Sequence, residues 1–148
     1  MKIAERHGFV FVGVPSENPI IGIFARAHVE AFGLPNDTRS VAEHWVAVCK
    51  PPGVYAIFGW RLLNDAGGLR ADVSDFYCTQ NRLGTLAAYA ALERVRDLSD
   101  ARGVPVLTAT PAWNEPMIRA IRRVFGVKEA SHVVHIHYPV AAKAEEVA

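Results

Sequence analysis

The run Asp72-Val73-Ser74-Asp75-Phe76-Tyr77-Cys78-Thr79-Gln80-Asn81-Arg82-Leu83-Gly84-Thr85-Leu86 is where residue types and spacing come nearest to chemistry. Its first half alternates as a strand does, with Asp72, Ser74, Phe76 and Cys78 on one face and Val73, Asp75 and Tyr77 on the other. A short polar turn follows, then the start of a helix. Free backbone N–H groups at Arg82 to Thr85 would point outward at the positive end of that helix. Gly84 would let a ligand come close to the main chain. Such a turn is an anion cradle, suited to a phosphate. The other reading is a tight strand-to-helix connection that needs a glycine for its own geometry, and spacing alone leaves both open.

Other residues look reactive but have ordinary explanations. His135 and His137 flank Ile136 on a strand and could chelate a metal, yet no third ligand is placed beside them, so no metal site is expected. Arg119, Arg122 and Arg123 form a basic stripe that reads as a solvated helix face. Cys49 and Cys78 are too few for a disulfide framework or a thiolate zinc site, and nothing supplies Cys78 with a base. Ser40 and Ser99 lack a His/Asp arrangement. Trp45, Trp60, Phe58 and Tyr55 read as core, although Trp60 and Tyr55 could equally line an acceptor cleft.

The elements that must position these residues alternate between strand and helix. Gly8 to Val14 is a short apolar strand. Pro19 opens a helix with Ile20, Phe24, Ala27 and Ala31 on its inner face, and Gly33 to Asp37 ends it. Thr38 to His44 is either a short helix or a loop. Strands over Trp45–Lys50, Val54–Leu63 and Leu69–Cys78 are separated by the turns Pro51-Pro52-Gly53 and Asn64 to Gly68. Thr85 to Ala101 is an amphipathic helix with Ala88, Ala91, Leu92, Val95 and Leu98 inward, stopped by Gly103. A buried strand over Val104–Ala109, a second amphipathic helix capped by Asn114, and a strand over Val133–Tyr138 complete the order. That helix faces Met117, Ala120, Ile121 and Val124 inward. Antiparallel strands first and a βαβ unit after them imply an α/β (α+β mixed) fold, a mixed central sheet with helices on both faces.

Composition agrees with one domain over residues 1–140, followed by a frayed Ala-rich tail over 141–148. The 148 residues are 51% hydrophobic and 21% charged, a globular balance. The net charge of +1 gives no electrostatic reason to expect nucleic acid or a membrane surface. No apolar run approaches the ~20 residues that span a bilayer, and Met1 to His7 lacks the apolar core of a signal peptide. The expected location is cytoplasmic.

The whole order of elements resembles the GCN5-related N-acetyltransferase (GNAT) superfamily. In that family the fourth strand runs into an Arg/Gln-x-x-Gly-x-Gly/Ala turn that binds the coenzyme A pyrophosphate. The matching run is Asn81-Arg82-Leu83-Gly84-Thr85-Leu86. Gly84 is kept, Asn81 replaces the Arg/Gln and Leu86 replaces the last small residue. The exit from the following strand, Thr108 to Asn114, looks like the family's Asn-bearing element, about one residue out of step.

The resemblance implies an N-acyltransferase that moves an acetyl or other acyl group from acyl-CoA to a primary amine, by direct attack in a ternary complex. Acetyl-CoA is the implied co-substrate. Phe76 and Cys78 would pair with the pantetheine arm, Asn81, Arg82, Gly84, Thr85 and Leu86 would lie under the pyrophosphate, and Asn114 would contact the coenzyme or the acceptor side. Asp72 takes the place of the strand carboxylate that serves as general base in some members, and Asp75, on the opposite face, stands second. The tyrosine that protonates the leaving thiolate is replaced by Ile121 and Arg122, which leaves Tyr77 and Tyr138 as substitutes by residue type. The acceptor is a small-molecule or peptide amine, set by the first helix and its following loop, Ile20 to Val41. An exposed edge on the final strand could pair across a homodimer. The alternative, drawn from Asn81, Leu86 and the missing tyrosine, is a catalytically degenerate domain that binds coenzyme A or another protein.

Overall fold

The computed structural model describes residues 2–33, 40–66, 68–111, 114–126 and 133–138, and the expectations for 34–39 and for the tail over 141–148 lie outside them. In chain order the elements are β1 (Lys2–Arg6), β2 (Phe9–Val14), α1 (Pro19–Phe32), β3 (His44–Lys50), β4 (Gly53–Asp65), β5 (Gly68–Cys78), α2 (Arg82–Arg102), β6 (Val106–Pro111), α3 (Glu115–Phe125) and β7 (Val133–Tyr138). Along the sheet the strands follow their sequence order, β1 to β7. The chain divides into two compact units. One comprises Met1–Arg61 and Ser74–Ala90, the other Leu62–Val73 and Ala91–Ala148.

In the first unit β1, β2, β3 and β4 pair antiparallel in turn. Strand β1 is an addition to the sequence reading. Its five residues include Lys2, Glu5 and Arg6, and Ile3 is 52% exposed, so no apolar alternation announces it. The signal lay in the turn. His7 and Gly8 both take positive φ, 53° and 80°, the backbone that a two-residue hairpin of matching twist requires.

The core of this unit is built from cross-strand neighbours. Phe11 faces Val48 and Val48 faces Ala56, all three fully buried. On the opposite face Ala47 lies across from Ile57, and Trp45 lies across from Gly59. That glycine makes room, since a Cβ there would stand 2.6 Å from the Ala42 methyl and 3.0 Å from the Trp45 ring. Ala87, Ala88 and Ala90 of α2 are buried as well.

Helix α1 starts as expected, with Asn18 Oδ1 accepting from Ile20 N–H at 3.0 Å and Pro19 in the first turn. It ends at Gly33 in the left-handed region. Its inner face differs from the sequence reading. Ala27 and Ala31 are exposed, and the half-buried positions are Ile20, Ile21, Phe24, Ala25, His28, Val29 and Phe32. The short apolar Ala side chains gave no reason to prefer one stripe over its neighbour, and the larger Phe32 and His28 decided it.

In the second unit β5 pairs parallel with β6 through Ala71 with Val106, Asp72 with Leu107 and Val73 with Thr108. Strand β6 pairs antiparallel with β7 from Val106–Tyr138 to Pro111–Val133. Helix α2 buries Ala91, Leu92 and Ser99 here, and α3 buries Ile118, Ala120, Ile121 and Val124. The Ser99 hydroxyl donates to the Val104 carbonyl at 2.5 Å, which satisfies a buried polar group while Gly103 turns the chain. Arg96 reaches across to the Val124 carbonyl, 3.4 Å away, at the end of α3. Asn114 occupies the cap position of α3 but makes no side-chain cap bond, contrary to expectation.

Candidate functional site

The candidate turn follows directly from β5. At Ala71 the main-chain N–H donates to Pro105 O, next to β6, and at Thr79 it donates to Tyr55 O of β4. Residues an even number apart on a regular strand point their amides to the same side. The main chain therefore changes phase between Ala71 and Thr79. The parallel ladder ends in the same stretch. Its last recorded pair is Val73 with Thr108, while β5 continues through Ser74–Cys78. A strict alternation across Asp72, Phe76 and Cys78 does not survive such a change.

At the turn the chain satisfies itself first. Thr79 Oγ1 donates to Asn81 Oδ1 at 2.8 Å, and the same oxygen accepts from Gly84 N–H at 2.8 Å. Thr85 N–H bonds to Asn81 O at 3.1 Å, the first bond of α2. Asn81 is thus the cap of the helix. Among the described residues the amides left over are those of Arg82 and Leu83, not the four that the sequence suggested. Gly84 has a reason within the chain. A Cβ there would run into the Thr79 carbonyl oxygen and stand 2.7 Å from its carbon. Around it Asn81, Arg82 and Thr85 are exposed, and Leu86 is 45% exposed.

A second group of residues lies in the same unit, at Asp75. Its Oδ2 accepts from the Ser40 hydroxyl at 2.6 Å and from the Ser74 hydroxyl at 2.8 Å, and its Oδ1 accepts from the Tyr77 hydroxyl at 3.0 Å. The Tyr77 ring stands 5.1 Å from the His28 ring, which in turn lies 4.8 Å from Phe32. Burial pushes the Tyr77 phenol well above its ordinary range, and the charge of Asp75 and the hydrogen bond to it push further the same way. Burial lowers the His28 imidazole, which keeps it neutral near pH 7. Sequence alternation put Asp75 and Tyr77 on one face, and they do meet. His28 and Ser40 were missed in this role because each is brought in by tertiary packing, Ser40 from 35 residues away.

Phe76 stacks on Phe58 with ring centroids 5.8 Å apart. Burial raises the Cys78 thiol, which disfavours a thiolate, and its carbonyl accepts from Gln80 Nε2 at 3.4 Å. Asp72 sits in the second unit in register with Leu107, and Tyr138 is in register with Val106. Asn114 is half-buried before α3. Ile121, where the resemblance looks for a tyrosine, is 1% exposed. Among the described residues no three His, Cys, Asp or Glu side chains gather as metal ligands, and no helix is long and apolar enough to cross a membrane.

No family model matches the chain, and no curated protein matches it. Solved structures do. An aminoglycoside acetyltransferase from an uncultured soil metagenomic sample, in complex with trehalose, is similar at 11% identity with a TM-score of 0.62. The likeness covers 88% of this chain and 95% of that one. A second aminoglycoside acetyltransferase from an uncultured soil metagenomic sample is similar at 19% identity with a TM-score of 0.57, over 84% of this chain and 95% of that one. With its mixed sheet, the helices α1 to α3 and the parallel β5–β6 pair, the chain has a GNAT-like fold.

Proposed function

We propose that the protein is an N-acyltransferase that transfers an acetyl group from acetyl-CoA to a primary amine on a small molecule or peptide. The observation that carries this reading is the delivery of β5 straight into the exposed, Asn81-capped start of α2, in a fold shared with acetyltransferases. The Arg82 and Leu83 amides and the Arg82 side chain would meet the pyrophosphate, at the end of the helix where an anion is favoured. Asn81, Gly84 and Thr85 act by shaping that turn, with Leu86 on its exposed side. The main chain at Phe76 and Cys78 would take the pantetheine arm, and Asn114 would contact the coenzyme or the acceptor side.

In the reaction the amine nitrogen attacks the thioester carbonyl, the C–N bond forms, and the C–S bond breaks to release the thiol of coenzyme A. Asp72 takes the proton lost by the amine, directly or through one water. Asp75 is the second candidate for that role. Tyr77 holds its proton too firmly, and is too fully committed to Asp75, to serve the thiolate well. Tyr138 is the tyrosine left for the purpose.

A second reading is a domain that binds coenzyme A or a protein partner without transfer. Buried Ile121 at the acid's position favours it. Thermal unfolding with acetyl-CoA, followed by coenzyme A release in the presence of amines, separates the two. A ligand that binds only the folded state stabilises it, by about 2.7 kcal/mol at a hundredfold excess over Kd. The transferase reading expects a raised Tm and amine-dependent release of thiol. A raised Tm without release supports the binding domain. An unchanged Tm near millimolar acetyl-CoA overturns both as coenzyme A binders.

A further inference from the structure

We propose that the Asp75 carboxylate, with Tyr77 bonded to it and the His28 ring against that of Tyr77, is the subsite that receives the primary ammonium of the acceptor. The inference rests on the amine-acceptor reading above and adds the group that recognises the amine. An ionised carboxylate only accepts hydrogen bonds and offers about four acceptor positions on its two oxygens. Ser40 and Ser74 occupy two on Oδ2, and Tyr77 occupies one on Oδ1, so the described residues leave one position on Oδ1 open.

All three donors are neutral hydroxyls, and among the described residues no Lys or Arg pairs with Asp75. His28 does not supply a cation either, since burial favours its neutral form. A half-buried carboxylate held by three neutral donors, with no Lys or Arg partner among the described residues, is complementary to a cation carrying N–H groups. The aromatic surroundings fit the same ligand. Tyr77, His28 and Phe32 stand in sequence at centroid separations of 5.1 and 4.8 Å, and aromatic faces attract an alkylammonium while covering its carbon chain. Asp75 in this role binds the acceptor and leaves the proton transfer to Asp72.

The probe is n-butylammonium chloride, titrated into the full chain while the His28 and Tyr77 ring resonances are followed by NMR, with n-butanol as the uncharged control. Butylammonium should shift both rings saturably, weaken at least several-fold in apparent affinity as salt is raised, and outcompete butanol. Asp75→Asn should abolish the saturable shift. Tyr77→Phe keeps the ring and opens a second position on Oδ1, so binding should persist. Equal shifts from butanol, salt-independent binding, or full retention in Asp75→Asn would each overturn the subsite. The salt series on the unaltered protein decides the matter even where a variant fails to fold. Acetyl-CoA-induced stabilisation is measured on the same samples. If it persists without butylammonium binding, the subsite fails and the transferase reading stands. If butylammonium binds and acetyl-CoA does not, the transferase reading fails and the ammonium site stands.

Discussion

Gly84 illustrates how one residue can serve a site without touching a ligand. Its lack of a side chain is needed because the turn folds back on the Thr79 carbonyl, and its N–H is already given to Asn81. The glycine therefore permits the cap, and under the proposed function the coenzyme would meet the neighbouring amides of Arg82 and Leu83. A larger residue cannot be confined to a binding defect. Gly84→Val should lower stability by roughly 1–3 kcal/mol, the usual cost of forcing extra carbon into a packed site. It should also abolish stabilisation by acetyl-CoA. Chemical denaturation and a coenzyme titration on the same variant check both arms. A variant as stable as the parent would mean that the turn relaxes freely around Thr79.

Of α1 and α2, the second is the more readable. Helix α2 carries a regular stripe, and Ala88, Ala91 and Leu92 are buried as the spacing predicts, while Val95 and Leu98 of the same stripe are half-buried. Leu92 is 4% exposed, so Leu92→Ala should destabilise by roughly 2–5 kcal/mol, through lost transfer energy and an unfilled cavity. A change below about half a kcal/mol would place its side chain outside the core. Helix α1 buries no residue fully, and its apolar positions admit more than one face. Its choice depends on what β5 presents, Tyr77 above all, and that lies beyond local spacing. Strands β2 to β7 were legible because turns and alternation punctuate them. Strand β1 was not, since an edge strand bearing Lys2, Glu5 and Arg6 looks like a solvated terminus. The phase change in β5 was equally invisible. Alternation counted along a sequence assumes an unbroken pleat, and only the partners of Ala71 and Thr79 reveal the break.

For the whole molecule, the proposed transfer turns on which carboxylate of β5 would handle the amine's proton and which its charge. The order of elements pointed to a GNAT-like fold, and the fold bears that out, but neither assigns the two roles. Asp75 is held by three hydroxyl donors within the first unit, which suits the ammonium subsite proposed for it. Asp72 lies four residues before Phe76 on the same strand, the position from which the family resemblance implies a base. The roles leave different kinetic traces. Loss of the base slows the chemical step, so Asp72→Asn should lower kcat by about 10²–10⁴ near neutral pH with little change in coenzyme affinity. Loss of a binding group weakens ground state and transition state together, so Asp75→Asn should raise the amine KM while kcat changes far less. Steady-state rates against pH for the two variants measure this split. If Asp75→Asn instead flattens the pH profile and Asp72→Asn leaves kcat intact, the proton goes to Asp75 and the assignment is reversed. If both variants turn over with the parent's pH profile, the amine loses its proton to bulk water, and the protein's share of the catalysis is alignment.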